Sequence, residues 1–131
     1  MDYGFTNRNN RGGVDMNLER IKTIESSNDP KAYNAKSGAR GLFQVTEVVL
    51  HDYNVSHDTR YGIEDLFDGA INEKIAAWYV YSEIPHILVH FGIPPVEPFV
   101  IAAYNWGVGN VKKWFETLPV ETQNYLRKYY K

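Results

Sequence analysis

The sequence contains no cysteine. That removes disulfides, thiolate metal ligands and cysteine nucleophiles together, and leaves the redox compartment open. It also lacks a charge excess, since 14 Lys+Arg stand against 16 Asp+Glu for a formal charge of -2. Without a Lys/Arg run there is no electrostatic footprint for duplex nucleic acid or an anionic membrane, and neither is expected as a partner. Long apolar runs are missing as well. No stretch reaches the ~18 consecutive apolar residues of a membrane span, and Met1-Asp2-Tyr3-Gly4 lacks the charged and apolar regions of a signal peptide. The chain as given is expected to be soluble, its leader either removed or never present. What is there is an ordinary globular composition, 44% hydrophobic and 23% charged over 131 residues, enough for one domain with a single core. Aromatics are plentiful at 15%, and Tyr and Trp join a flat apolar face to a polar handle.

Residues 1–16, rich in Asn, Arg and Gly, have no apolar period and read as a flexible or irregular arm. The rest, residues 17–131, reads as one mainly α domain. Asn17 or Asp15 can cap a short helix in which Leu18, Ile21 and Ile24 or Glu25 share a face, and Ser26-Ser27-Asn28-Asp29-Pro30 stops it. Glu25 therefore sits at a helix C-terminus, where the negative end of the dipole favours the neutral acid. A polar loop through Asn34, Lys36, Ser37 and Gly38 precedes Leu42-Phe43-Gln44-Val45 and a helix ending near Tyr53. A small β-hairpin fits between Tyr53 and Ile63. The longest periodic segment, Asp68 to about Phe91, predicts a central helix kinked or broken at Pro85. Pro98 suits the first turn of a buried helix over 99–104, followed by helices over 108–115 and after Pro119, the last carrying Tyr125 and Leu126 inward.

Glu25, Gln44 and Asn105 are polar residues among apolar neighbours. Burial of such groups costs free energy unless they are paired, so either they cap helix ends and bond the backbone, or they line a common cleft. A carboxyl in an apolar pocket has its pKa raised, which suits a general acid.

The ordered blocks Ile24-Glu25-Ser26, Pro30, Gly38-Ala39-Arg40-Gly41-Leu42-Phe43-Gln44, Ala102-Ala103-Tyr104-Asn105-Trp106-Gly107-Val108-Gly109-Asn110-Val111 and Leu118-Pro119-Val120-Glu121-Thr122-Gln123-Asn124-Tyr125 resemble the soluble lytic transglycosylase domain. This family has the lysozyme-like fold and is related to goose-type lysozyme. The resemblance runs from about Asn17 onward. It implies cleavage of the β-1,4 bond between N-acetylmuramic acid and N-acetylglucosamine in peptidoglycan, with a 1,6-anhydromuramoyl product and Glu25 as sole catalytic acid and base. It further implies that Ser26 steadies Glu25 or contacts substrate, that Gln44 hydrogen-bonds sugar, and that Tyr104 and Asn105 face the catalytic carboxyl. Glu121 and Tyr125 match positions that close the cleft. Gly41, Gly107 and Gly109 read as backbone-geometry positions.

The sequence also departs from the family pattern. Thr46 stands where Met is usual, putting a sugar-packing contact in doubt, and Phe43 replaces Met before the glutamine. Trp106 stands where the family is small, as an extra sugar platform or as core. Glu47 is either a solvated or capping residue or a carboxylate able to hold a water, and in a water-using muramidase Glu47 or Asp52 would be the helper. That hydrolase is the alternative function, and a catalytically silent glycan-binding module is the third. His86 and His90 have the spacing of a metal pair, but Ile87 occupies the place of a metalloprotease Glu and no third ligand is evident. Neither metal nor cofactor is expected. Lys112, Lys113, Arg127, Lys128 and Lys131 read as a solvated face that could also meet anionic wall polymer. A monomer acting on the glycan strand is expected, periplasmic or extracellular in the cell envelope, or phage-encoded. Trp78, Tyr79, Phe91, Phe99 and Trp114 are assigned to core, and Tyr104, Trp106 and Tyr125 to a saccharide groove.

Overall fold

A computed structural model describes residues 17–131, and the arm expected over residues 1–16 lies outside the described residues, as does the alternative cap Asp15. The described residues are helical, with no named strand among them. They divide into two compact units, Asn17–Tyr79 and Val80–Lys131.

In the first unit, Asn17 starts helix α1 (Leu18–Ser26) by accepting the Arg20 N–H on its side-chain oxygen at 3.1 Å. Ser27 and Asn28 then take left-handed backbone and end it. Ile21 is the buried residue of α1, and Glu25 one turn later is half-buried. Of the two alternatives for their face, Ile24 or Glu25, it is Glu25 that lies there: Ile24 is 78% exposed, about 100° around the helix from Glu25. Thr46 caps α2 (Glu47–His57) through its hydroxyl oxygen, which accepts the Val49 N–H at 3.4 Å. The helix runs a turn beyond Tyr53.

The hairpin expected between Tyr53 and Ile63 does not form. Asp58 caps α2 in left-handed backbone, and the Asn54 side chain then gathers the following turn. Its oxygen accepts from the Thr59 hydroxyl at 2.8 Å and the Tyr61 N–H at 3.1 Å, while its nitrogen donates to the Tyr61 carbonyl at 2.9 Å. A 3-10 helix (Ile63–Phe67) follows, and Asp68 caps α3 (Gly69–Trp78) by accepting from both Ala70 N and Ile71 N. The bridges that do form are Tyr33 with Arg40 and Arg40 with Val45, in the loop before α2. Ile21, Ala39, Phe43, Val45, Leu50, Tyr53, Leu66, Ile75 and Ala76 are the unit's buried apolar residues. Each larger one contributes roughly 1.5–3 kcal/mol on removal from water. Trp78 and Tyr79 are half-buried, Trp78 standing edge-on to Tyr53 at 5.5 Å, so they border the core and do not fill it.

After Trp78 the backbone widens into a π-helical turn over Tyr79–Glu83, and α4 (Ile84–His90) restarts with Pro85 in its first turn. The disruption expected at Pro85 thus lies in the turn before it, so that the missing N–H falls where a helix start tolerates it. In the second unit α5 (Glu97–Trp106) opens with Pro98 in its first turn, as expected. Gly107, at φ 103°, joins it to α6 (Val108–Thr117). Gly109, expected to serve backbone geometry, lies in α6 with ordinary φ and open space around it. Helices α4, α5 and α6 pack on one another through Ile84, Leu88, Phe99, Val100, Ala103, Val111 and Phe115. Phe99 meets Phe115 edge-on at 6.0 Å. Phe91 is half-buried, and Trp114 is 41% exposed, not core, because the inward stripe of α6 is Val111 and Phe115.

Helix α7 (Val120–Tyr129) has no buried residue. Its half-buried face is Thr122, Leu126 and Tyr130, spaced one turn apart, with Tyr130 edge-on to Phe99 at 5.9 Å. That choice of face leaves Tyr125, expected inward, 69% exposed. Arg127 supplies the attachment instead. Its Nε donates to the Gly92 carbonyl at 2.7 Å and its guanidinium lies 5.3 Å from the Phe115 ring centroid.

Candidate active site

Glu25 lies in the last turn of α1, a turn with no basic residue. The nearest cation in the helix, Lys22, turns toward Glu19 and pairs with it at 3.0 Å. No hydrogen bond or ion pair to the Glu25 carboxyl is found among the described residues. Burial pushes its pKa above the ordinary glutamate value. A carboxyl that loses water and gains no donor is held toward its neutral form, and the carbonyl end of α1 acts in the same direction. Ser26 beside it is half-buried and serves the helix end, its hydroxyl donating to the Lys22 carbonyl and accepting the Asp29 N–H, each at 3.2 Å. One lone pair of that oxygen is left for a further donor.

Gln44 sits in a closed turn. Arg40 and Val45 exchange both backbone hydrogen bonds at 3.0 Å, and the residues between them form the loop. Gln44 itself has φ 54°, left-handed backbone away from any helix end. For a residue with a long side chain that conformation costs roughly 1–2 kcal/mol. Its amide nitrogen donates to the carbonyls of Gly41 at 3.1 Å and Ala32 at 3.3 Å. The backbone-bonding role weighed for Gln44 is therefore present through the amide nitrogen, and the amide oxygen takes no part in those bonds. Tyr33 flanks the same loop, with the Arg40 guanidinium 4.8 Å from its ring centroid.

In the second unit Tyr104, Asn105 and Trp106 form the last turn of α5. Tyr104 is half-buried, whereas Asn105 is exposed and Trp106 is 52% exposed, a ring at the surface and not core. Glu121 occupies the first turn of α7 and Tyr125 stands one turn later, both exposed, so the two share a face.

The family model of the transglycosylase SLT domain matches residues 5–126. The chain belongs to that family. The match begins earlier than the motif blocks, which start near Asn17. No curated protein and no solved structure matches the chain, so the assignment rests on the family model. With it come the lysozyme-like fold class and transglycosylase-type action on peptidoglycan.

Two residues of this SLT domain that shape the candidate site escaped the sequence reading. Thr46, noted only as a missing Met, is the N-cap of α2; a threonine directly before Glu47-Val48-Val49-Leu50 was the available signal. Asn72 is the other. It is fully buried, and a polar residue on the same helical face as Ile75 and Ala76 was its signal. Glu47 is exposed in the first turn of α2, where a carboxylate suits the positive helix end, and Asp52 is exposed on the same helix. His86 and His90 are exposed on α4, and no group of three potential metal ligands is found among the described residues.

Proposed function

We propose that this SLT domain cleaves the β-1,4 bond between N-acetylmuramic acid and N-acetylglucosamine by non-hydrolytic transglycosylation, with Glu25 as general acid and then base. The observation that carries the reading is the half-buried Glu25 carboxyl, without a partner among the described residues, whose pKa burial raises. A proton must be held near neutral pH for donation to a poorly basic glycosidic oxygen, and desolvation without a compensating donor holds it. In the first step the bond from the muramoyl anomeric carbon to the leaving oxygen breaks. The proton of Glu25 passes to that oxygen, and an oxocarbenium-like centre forms. Glu25, now a carboxylate, removes the proton of the muramoyl C6 hydroxyl, whose oxygen attacks the anomeric carbon. The 1,6-anhydro ring closes and Glu25 is protonated again.

No water is consumed. The internal hydroxyl has a high effective molarity, so no second carboxylate is required to activate a nucleophile. Gln44 is assigned to hold sugar through its amide oxygen. Tyr104 and Asn105 are assigned to the reacting N-acetylmuramoyl unit, Ser26 to steadying Glu25, and Glu121, Tyr125 and Trp106 to the groove margin, where exposed rings suit stacking on saccharide faces. A monomer acting in the cell envelope, or from a phage, fits this chemistry.

Glu25→Gln tests the reading. It removes the proton donor while keeping size and polarity, so clearing of purified peptidoglycan should fall ~10²–10⁴-fold with glycan binding retained. Clearing at the wild-type rate would remove Glu25 from the mechanism. Wild-type binding with no turnover would identify a binding module.

A further inference from the structure

Asn72 is fully buried in the first unit, and its amide makes three hydrogen bonds. Its oxygen accepts the Phe43 N–H at 2.8 Å, and its nitrogen donates to the carbonyls of Arg40 at 2.8 Å and Leu66 at 2.9 Å. We propose that Asn72 is a positioning residue for substrate binding: by pinning the Arg40–Val45 loop from within, it fixes the orientation in which Gln44 meets the glycan. This rests on the proposed function only in assigning Gln44 to the sugar.

The chemistry of the three bonds explains why an asparagine is needed. The loop turns back on itself within a few residues, so the Phe43 N–H and the Arg40 carbonyl both reach the Asn72 side chain; that carbonyl also accepts the Val45 N–H. One acceptor and two donors on a short planar side chain satisfy both and also reach the 3-10 helix at Leu66. An aspartate in the same place keeps the acceptor but turns both donors into a charge facing two carbonyls. A leucine removes the Asn72 bond from all three groups, each in the buried interior of the loop, and offers nothing polar in its place. Gly41 completes the fit, since its φ of 82° and the absence of a side chain let the Asn72 amide and the Leu66 carbonyl close on its backbone.

The same bonds bracket the strained residue. Arg40 and Phe43 lie before Gln44, Val45 after it is locked to Arg40, and Gln44 alone of this loop's non-glycine residues is left-handed. A rare backbone conformation persists where its surroundings over-determine it. Release of Asn72 lets Gln44 return to ordinary backbone, which swings its side chain away from the Ala32 and Gly41 carbonyls. A purely structural amide would pin the fold without regard to Gln44.

The test is a double-mutant cycle on folded protein with soluble glycan strands as substrate. Asn72→Ala should raise KM by roughly 10-fold with a smaller change in kcat, and in the Gln44→Ala background the same substitution should change KM less than about twofold. Ile75→Val, a core loss on the same helix, should lower stability and leave KM unchanged. Equal effects of Asn72→Ala in both backgrounds, or an unchanged KM, would overturn the proposal. Asn72→Asp, closer in shape, replaces Asn72→Ala if the latter does not fold. Two readouts are independent of turnover. In the wild type the Phe43 amide proton should exchange among the slowest of the unit, and rapid exchange contradicts the pinning. In the Asn72 variant the Gln44 side-chain amide resonances should move toward unfolded values, and their retention contradicts the positioning. Should the wild type cleave no glycan, the proposed function fails by itself and these two readouts still decide the role of Asn72.

Discussion

Three glycines with different surroundings should respond to alanine in a fixed order. Gly109 lies in the first turn of α6 with nothing near a new methyl group. Gly109→Ala should therefore stabilise, by about 0.5 kcal/mol, through helix propensity. Gly38 has φ 75° but room for a Cβ, its nearest neighbour being the Arg40 guanidinium at 3.9 Å. Only the left-handed backbone opposes the change, for a loss of roughly 1 kcal/mol. Gly41 has φ 82° as well, and its Cβ would run into the Leu66 carbonyl and the Asn72 amide. One of these must give way, and each is a buried member of the same hydrogen-bonded node. To the backbone cost is added the loss of one or two buried hydrogen bonds at about 1–3 kcal/mol for each group left unpaired. Gly41→Ala should thus cost roughly 3–5 kcal/mol, a large part of the 5–15 kcal/mol typical of a whole domain. Urea unfolding followed by tryptophan fluorescence gives the three values, with far-UV circular dichroism as a second probe. If Gly41→Ala lost no more than Gly38→Ala, the loop would not be closed around Asn72, and the account of how Gln44 is held would fail with it.

Glu25→Gln should also act on stability, with a definite sign. The folded-state pKa of Glu25 is raised, so its contribution is fully present below the unfolded value near 4.5 and is lost as pH rises through the folded value. Thermal melts should show the Gln variant gaining on the wild type at neutral pH and the gap closing in acid; a gap that widens in acid would contradict a desolvated carboxyl. The same raised pKa places the alkaline limb of the wild-type rate profile above the ordinary glutamate range. Arg127→Ala should loosen α7 while the packing of α4, α5 and α6 survives, because α7 buries no residue of its own. Hydrogen exchange should rise selectively over residues 120–129, and uniform protection loss across 84–117 would refute a local clamp.

Much of the helical order was readable because its signals are local. The Asn17 cap, the Ser26-to-Pro30 stop, Pro98 in a first turn and Gly107 between two helices each act within a few residues. Glu25 was readable for the same reason, as a carboxylate one turn after Ile21 at a helix end. The expectations that failed turned on side-chain contacts that no local pattern marks. The turn after α2 is organised by the Asn54 side chain, and no strand pattern or turn dipeptide marks it. Of Tyr125 and Leu126, both expected inward, Leu126 is half-buried and Tyr125 is not, since adjacent helical residues face about 100° apart; on α6 Val111 and Phe115 take the inward stripe in place of Trp114. Asn72 was passed over because its partners, Arg40 and Phe43, stand about thirty residues earlier in the chain.

In the proposed mechanism Glu25 alone carries a proton out and back while the sugar's own hydroxyl closes the ring. Mass spectrometry of the muropeptides released from purified peptidoglycan in ¹⁸O-labelled water tests it most directly. The products should be one water lighter than reducing-end muropeptides, with no label at the new terminus and almost none formed by Glu25→Gln. Labelled reducing ends from the wild-type protein would contradict that mechanism and identify a hydrolase.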